Sequence, residues 1–203
     1  MTYKHIVLVG NSGSGKSTVL DLLRNDEQIS TIAADELYLT NPFFQLSKQD
    51  PHRWMLTNDL WFLSQRVELM QRAINAQQQQ HLVIDSGVLM SYVYGQTHQQ
   101  MGFMTSDEWT FFEECFDKWC STLVRANKVI FFTAPFEVLR ERIIQRNRSF
   151  EVKSYFEYLT SLENGLVALE AKLDQLQIPY IKISTVDRVP KQLARDVHDA
   201  IKR

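Results

Sequence analysis

Nine consecutive residues, Gly10-Asn11-Ser12-Gly13-Ser14-Gly15-Lys16-Ser17-Thr18, combine glycines, one cation and several hydroxyls in the order G-x-x-x-x-G-K-[ST]. Glycines lack a Cβ, so successive backbone N–H groups can close around an anion. At this spacing Lys16 reaches the β- and γ-phosphates of a nucleotide, and the Ser17 hydroxyl offers Mg²⁺ a hard oxygen. The apolar run Ile6-Val7-Leu8-Val9 enters the segment and a helical pattern leaves it. A helix N-terminus therefore adds its partial positive charge to the same anion. A plain glycine turn would need neither the lysine nor this strand–turn–helix setting. Gly10 to Thr18 is expected to hold the phosphates of a nucleotide.

Two further groups of residues suit the same chemistry. The apolar run His81-Leu82-Val83-Ile84 ends in Asp85, where a P-loop protein places a second acid on the Mg²⁺ side. Arg140, Arg142, Arg146 and Arg148 fall within nine residues and are followed by Glu151. Arg142 and Arg146 stand i,i+4 on one helix face. A solvated helix end would accept lysine equally well, whereas planar guanidinium forks match phosphate oxygens as charge builds on a transferring phosphoryl group. A GTPase is excluded. Asn127-Lys128-Val129-Ile130 lacks the aspartate that reads guanine, and Asp85-Ser86-Gly87-Val88 lacks the glycine of a D-x-x-G switch.

The elements that must position these groups follow from periodicity. Short runs at 6–9, 31–34, 82–84, 129–132 and 180–183 are apolar on both faces, as strands buried in a parallel sheet are. Between them lie helical stretches at 17–24, 53–76, 106–126, 135–146 and 155–176, the last with Tyr155, Tyr158, Leu159, Leu162, Leu166, Leu169, Leu173 and Leu176 at helical spacing. Strand and helix in alternation predict an α/β protein: a P-loop three-layer fold with a central parallel five-stranded sheet flanked by helices. No Pro-, Gly- or Ser-rich linker divides residues 1–203, so a single domain is expected. Gln77 to Gln80 reads as a polar helix terminus.

Composition narrows the class. The 203 residues are 44% hydrophobic and 23% charged, ordinary for a globular chain with a real core. Twenty-two Lys and Arg against 24 Asp and Glu leave a net charge of −2, which argues against a partner that is polymeric nucleic acid. No apolar run approaches the ~18–20 residues of a membrane span. Cys115 and Cys120 suit neither a redox pair nor a disulfide framework, and the five histidines show no metal-ligand spacing. With no signal-peptide pattern at Met1-Thr2-Tyr3-Lys4-His5, a cytoplasmic location is expected.

From the phosphate loop to about Leu176 the chain resembles the deoxynucleoside kinases, particularly the bacterial deoxyadenosine/deoxyguanosine kinase branch. Besides the loop, the resemblance rests on Asn41-Pro42-Phe43-Phe44, on Asp50-Pro51-His52-Arg53-Trp54 leading into a long helix with Arg66, and on the run from Leu139 to Glu151. It implies transfer of the γ-phosphate of Mg·ATP to the 5′-hydroxyl of a purine deoxyribonucleoside. It also implies that Glu36 is the base taking the hydroxyl proton, with an offset of one onto Asp35 left open. Glu151 would bind the sugar 3′-hydroxyl, Arg66 would face the base, and Asp85 would serve both metal and substrate. Residues 142–152 would form a lid whose Arg142 and Arg146 act on the reacting phosphates while Arg148 helps to hold the nucleotide. A homodimer is implied as well.

The departures from that family's pattern lie on the acceptor side. Ser86 and Gly87 replace an Arg-Ser pair, Ser91 replaces an aspartate that partners the Arg66 position, Lys48 replaces a tyrosine near the 3′-hydroxyl, and Asp59 replaces a base-reading glutamine. Asp59 and Arg66 are two helical turns apart and share a face. An acceptor-only carboxylate there matches the N1–H and N2–H pair of guanine better than the edge of adenine, unless Asp59 merely pairs with Arg66 or Arg53. Two other readings stay open: a small-molecule P-loop kinase with a different hydroxyl acceptor, and a nucleotide-binding regulatory protein that transfers no phosphate.

Overall fold

A computed structural model of the chain describes residues 3–76, 79–122, 126–146 and 155–202, apart from the side chains of residues 35, 36, 121, 122 and 155. Strand β1 (His5–Gly10) runs through the phosphate motif into α1 (Lys16–Leu23). Strand β2 (Ile29–Ala33) leads to a 3-10 turn at Asp35–Leu39 and then to α2 (Phe44–Gln49). The long α3 (Pro51–Ala76) precedes β3 (His81–Asp85), α4 (Val88–Gln100) and α5 (Ser106–Thr122). The chain then forms β4 (Lys128–Thr133), α6 (Phe136–Arg146), α7 (Tyr155–Gln175), β5 (Tyr180–Ser184) and α8 (Pro190–Lys202).

All five strands pair in parallel in the order β2-β3-β1-β4-β5. The chain crosses to opposite sides of β1 when it forms β3 and β4, so the strand order switches beside β1. In open parallel sheets ligands bind outside the carboxyl ends of the strands at such a point. Leu8 is in register with Asp85, so the two strand ends that carry the phosphate motif and the second acid lie side by side.

Successive side chains of each strand enter opposite layers. Val7, Val9, Leu82, Ile84, Val129 and Phe131 pack against α3, α4, α5 and α7. Ile6, Leu8, Val83, Ile130 and Phe132 pack against α1 and α8. The three inner strands are buried almost throughout, whereas β5 at the sheet edge leaves Ile181 and Lys182 exposed. The result is the expected three-layer α/β architecture. Three helices absent from the sequence-based expectation are α2, α4 and α8. α4 is buried nearly all round, from Val88 to Val93 and again at Gly95, Thr97 and His98, so it carries no one-sided apolar stripe.

Candidate active site

The phosphate motif forms a tight loop with glycines where only glycine fits. Gly10 has φ 149°, and a Cβ there would stand 2.5 Å from the Phe132 carbonyl oxygen. Gly13 has φ 78°, and a Cβ would press on the Leu139 carbonyl and Ile143, so the loop lies directly against α6. Asn11 is buried; its Nδ2 donates to the Leu159 carbonyl at 2.9 Å and to Glu163 Oε2 at 3.2 Å, tying the loop to the first turns of α7. Lys16 lies along the inside of the loop, donating to the carbonyls of Gly10 (2.8 Å) and Asn11 (3.1 Å). Its ammonium is thus held within the loop, 3.4 Å from Ser14 Oγ.

Ser17 opens toward β3. Its hydroxyl donates to Asp85 Oδ2 at 2.7 Å, and the Ser86 hydroxyl donates to Oδ1 at 2.9 Å. Asp85 is fully buried. Ser86 has φ 54°, an uncommon conformation for a residue other than glycine. A hydroxyl and a carboxylate in contact are hard oxygen donors of the kind Mg²⁺ takes. Among the described residues no three His, Cys, Asp or Glu side chains gather as a metal cage. Mg²⁺ needs none, since it is commonly held by one or two protein oxygens with phosphate oxygens and water. Ser17 and Asp85 therefore fit the ion.

Arg142 and Arg146 sit one turn apart on α6 and reach the loop in different ways. Arg142 Nη1 donates to the Gly13 carbonyl (3.3 Å) and Thr185 Oγ1 (2.9 Å), and Nη2 donates to the Thr185 carbonyl (2.8 Å). It clamps the phosphate loop to the segment that follows β5, a contact the arginine spacing does not reveal. Arg146 Nη2 donates to Ser12 Oγ at 3.0 Å from an exposed position. Arg148 and Glu151, with the rest of the expected lid beyond Arg146, lie outside the described residues.

Asp35 and Glu36 open the 3-10 turn after β2. Ala34 N–H donates to the Asp85 carbonyl at 3.3 Å, so the backbone brings this turn beside the end of β3. Their side chains are outside the described set. Tyr38, from the same turn, lines the cavity described next.

A cavity of about 1060 Å³ runs from the loop to a second polar cluster. Gly10, Ser12 to Thr18, Arg142 and Arg146 line one end, and Asp59, Arg66, Ser91, Tyr94, His98 and Tyr158 line the other. Arg66 Nη1 donates to Ser91 Oγ at 2.8 Å, and its guanidinium lies near the rings of Phe62 and Tyr94. Ser91 thus takes up the partnership that an aspartate would have filled. Lys48 also lines the cavity, with Nζ 4.2 Å from the Phe44 ring centre.

Asp59 pairs with neither Arg66 nor Arg53. Its Oδ2 lies 2.6 Å from His98 Nδ1, and Oδ1 accepts from Asn58 Nδ2 at 2.9 Å. Asn41 Nδ2 in turn donates to Asn58 Oδ1 at 2.9 Å. His98 Nε2 faces the Tyr158 hydroxyl at 3.1 Å. Sequence spacing gives His98 no metal-ligand role and no other, and marks Tyr158 only as part of a helical stripe. The one available signal was His98 standing seven residues after Ser91, as Asp59 stands seven before Arg66.

Residues 6–202 match the family described as deoxynucleoside kinase. A Dictyostelium discoideum protein named deoxyguanosine kinase is 22% identical over 167 residues, covering 79% of this chain and 56% of the relative. A fowlpox virus (strain NVSL) protein named "Probable deoxycytidine kinase" is 22% identical over 166 residues, covering 80% of this chain and 70% of the relative. The chain thus spans little more than half the length of the first of these. The solved structure of deoxyadenosine kinase from M. mycoides, with the products dCMP and a flexible dCDP bound, matches with a TM-score of 0.75 at 16% identity over 98% of both chains. That likeness is one of fold.

Proposed function

This chain belongs to the deoxynucleoside kinase family, and we propose that it transfers the γ-phosphoryl group of ATP to the 5′-hydroxyl of a purine deoxyribonucleoside. The observation that carries the reading is one cavity with a phosphate loop at one end and a buried cluster of base-sized polar groups at the other. Residues 1–203 act as one kinase domain in this reading. No described helix is long and apolar enough to cross a membrane. A cytoplasmic location and a homodimer belong to the proposal as well.

The chemistry divides among the named residues. The loop N–H groups and Lys16 bind the donor phosphates and offset charge on the transferring group. Ser17 and Asp85 would hold Mg²⁺, which when bound would neutralise phosphate charge. Arg146 adds a cation from the Ser12 side, and Arg142 keeps the loop and the residue-185 segment together around the donor. Glu36 takes the 5′-hydroxyl proton as the oxygen attacks. Arg66 meets the base, and Arg148 and Glu151 serve the donor and the sugar. Positioning supplies much of the rate in phosphoryl transfer, because little covalent chemistry falls to the protein.

The test is ADP formation from Mg·ATP with a panel of deoxynucleosides, deoxynucleotides and sugars. Turnover with deoxyguanosine or deoxyadenosine, and not with sugars, is expected. Turnover with a non-nucleoside hydroxyl alone, or ATP binding with no acceptor at all, overturns the reading.

A further inference from the structure

Helices α3 and α4 cross the acceptor end of the cavity with two rungs between them. Arg66 bonds Ser91, and Asp59 bonds His98. Seven residues separate the rungs on each helix, about 10 Å along the axis. The first rung carries a guanidinium, which only donates. The second continues into a third helix, because His98 also meets Tyr158 of α7.

The order of hydrogens along that chain follows from the acceptor at its start. Asp59 is 3% exposed, and Asn58 already occupies its Oδ1. A carboxylate oxygen 2.6 Å from Nδ1 requires the ring hydrogen on Nδ1, which fixes the tautomer. In the singly protonated ring Nε2 is then an acceptor and takes the hydrogen of the Tyr158 hydroxyl. Tyr158 lines the cavity, and its phenol oxygen therefore presents lone pairs rather than a hydrogen. Asp59, with both oxygens engaged inside the protein, acts on a bound base through His98 and Tyr158 and not as a bare carboxylate pair.

We propose that His98 is a specificity-determining residue of the acceptor site, setting the Tyr158 oxygen as an acceptor that selects a base carrying an N–H group at that position. The substrate class is a purine deoxyribonucleoside with an N–H for Tyr158 and a ring nitrogen or carbonyl for Arg66. This rests on the deoxynucleoside kinase reading of the cavity. A base that turns a bare ring nitrogen toward Tyr158 sets two acceptors against each other beside the buried Asp59 and His98, which costs strongly.

Kinetics at about pH 8 compare deoxyguanosine, deoxyadenosine and purine 2′-deoxyriboside, whose base has no N–H at all. In the wild type the better natural nucleoside should exceed purine deoxyriboside in kcat/KM by about tenfold or more. Tyr158→Phe keeps the ring and should bring that ratio to within about threefold. Asp59→Asn is nearly isosteric and places a donor against Nδ1. The tautomer then reverses, Nε2 donates to Tyr158, and the phenol hydrogen turns to the cavity, so the ratio should fall below that of Tyr158→Phe. A purely structural role for these residues would lower kcat/KM for all three nucleosides together and leave the ratio in place. An unchanged ratio in both variants overturns the inference while leaving the kinase reading intact. Absence of turnover with every nucleoside overturns the kinase reading and this inference with it.

Discussion

The Ser17 hydroxyl donates to Asp85 Oδ2 across 2.7 Å, joining the first turn of α1 to the end of β3 before any phosphate is considered. Replacing Asp85 by Asn keeps the volume but removes the charge that a divalent ion needs. Asp85→Asn is expected to lower kcat by about a hundredfold or more and to raise the Mg²⁺ concentration giving half the maximal rate. A magnesium titration of the rate checks this. A lower kcat with an unchanged magnesium midpoint would place Asp85 outside the metal side of the site.

Lys16 is 8% exposed and holds two loop carbonyls. Lys16→Met retains the aliphatic stem and removes the cation that offsets charge on the transferring group. The rate is expected to fall about a thousandfold or more, with a far-ultraviolet circular dichroism spectrum like that of the wild type. Near-native phosphoryl transfer by the variant would remove Lys16 from the reaction.

Arg142 and Arg146 should separate experimentally although they share a helix face. Arg142 makes three hydrogen bonds to Gly13 and Thr185, so Arg142→Ala should cost about 1–3 kcal/mol of stability and raise the KM for ATP. Arg146 is exposed and donates to Ser12, so Arg146→Ala should leave the melting temperature within about 2 °C and lower kcat. Melting curves alongside steady-state kinetics decide it. The same stability loss in both variants would contradict the difference in their contacts.

The base is tested by two isosteric changes. Glu36→Gln keeps a hydrogen-bonding side chain that cannot accept the hydroxyl proton, and should lower kcat by about 10²–10⁴ with little change in ATP affinity. Asp35→Asn should be mild. If Asp35→Asn is the damaging change, the assignment shifts by one residue along the turn after β2.

What could be read from the sequence, and what could not, divides by the range of the interactions. Every strand falls within two residues of its expected place, because a run apolar on both faces has few alternatives to a buried parallel strand. The loop is equally legible, since Gly10, Lys16 and Ser17 act within nine residues of one another. α4 was not, because burial on nearly every side of Val88–Gln100 erases the one-sided periodicity that marks a surface helix. α8 does carry that signal, with Leu193, Val197, Ala200 and Ile201 buried on one face. The partner of Asp59 lies 39 residues away and depends on the register between α3 and α4, which no local pattern encodes. For the same reason the spacing of Arg142 and Arg146 marks a phosphate-seeking face but not the hold of Arg142 on Thr185.

Asn11 of the phosphate loop grips the carbonyl of Leu159, and the residue just before it, Tyr158, supplies the hydroxyl at His98. Neighbouring residues of one helix thus report to opposite ends of the cavity. In the proposed kinase a displacement of this turn by a nucleotide at the loop should be felt at the nucleoside end, and the reverse to the same degree, because coupling between two equilibria is reciprocal. The affinities for donor and acceptor are then expected to be linked quantities rather than two separate constants. The factor by which a non-hydrolysable ATP analogue changes nucleoside affinity should equal the factor by which nucleoside changes affinity for the analogue. Asn11→Ala should move that shared factor toward one. A factor above one that the substitution leaves untouched would show that the linkage runs through another part of the fold.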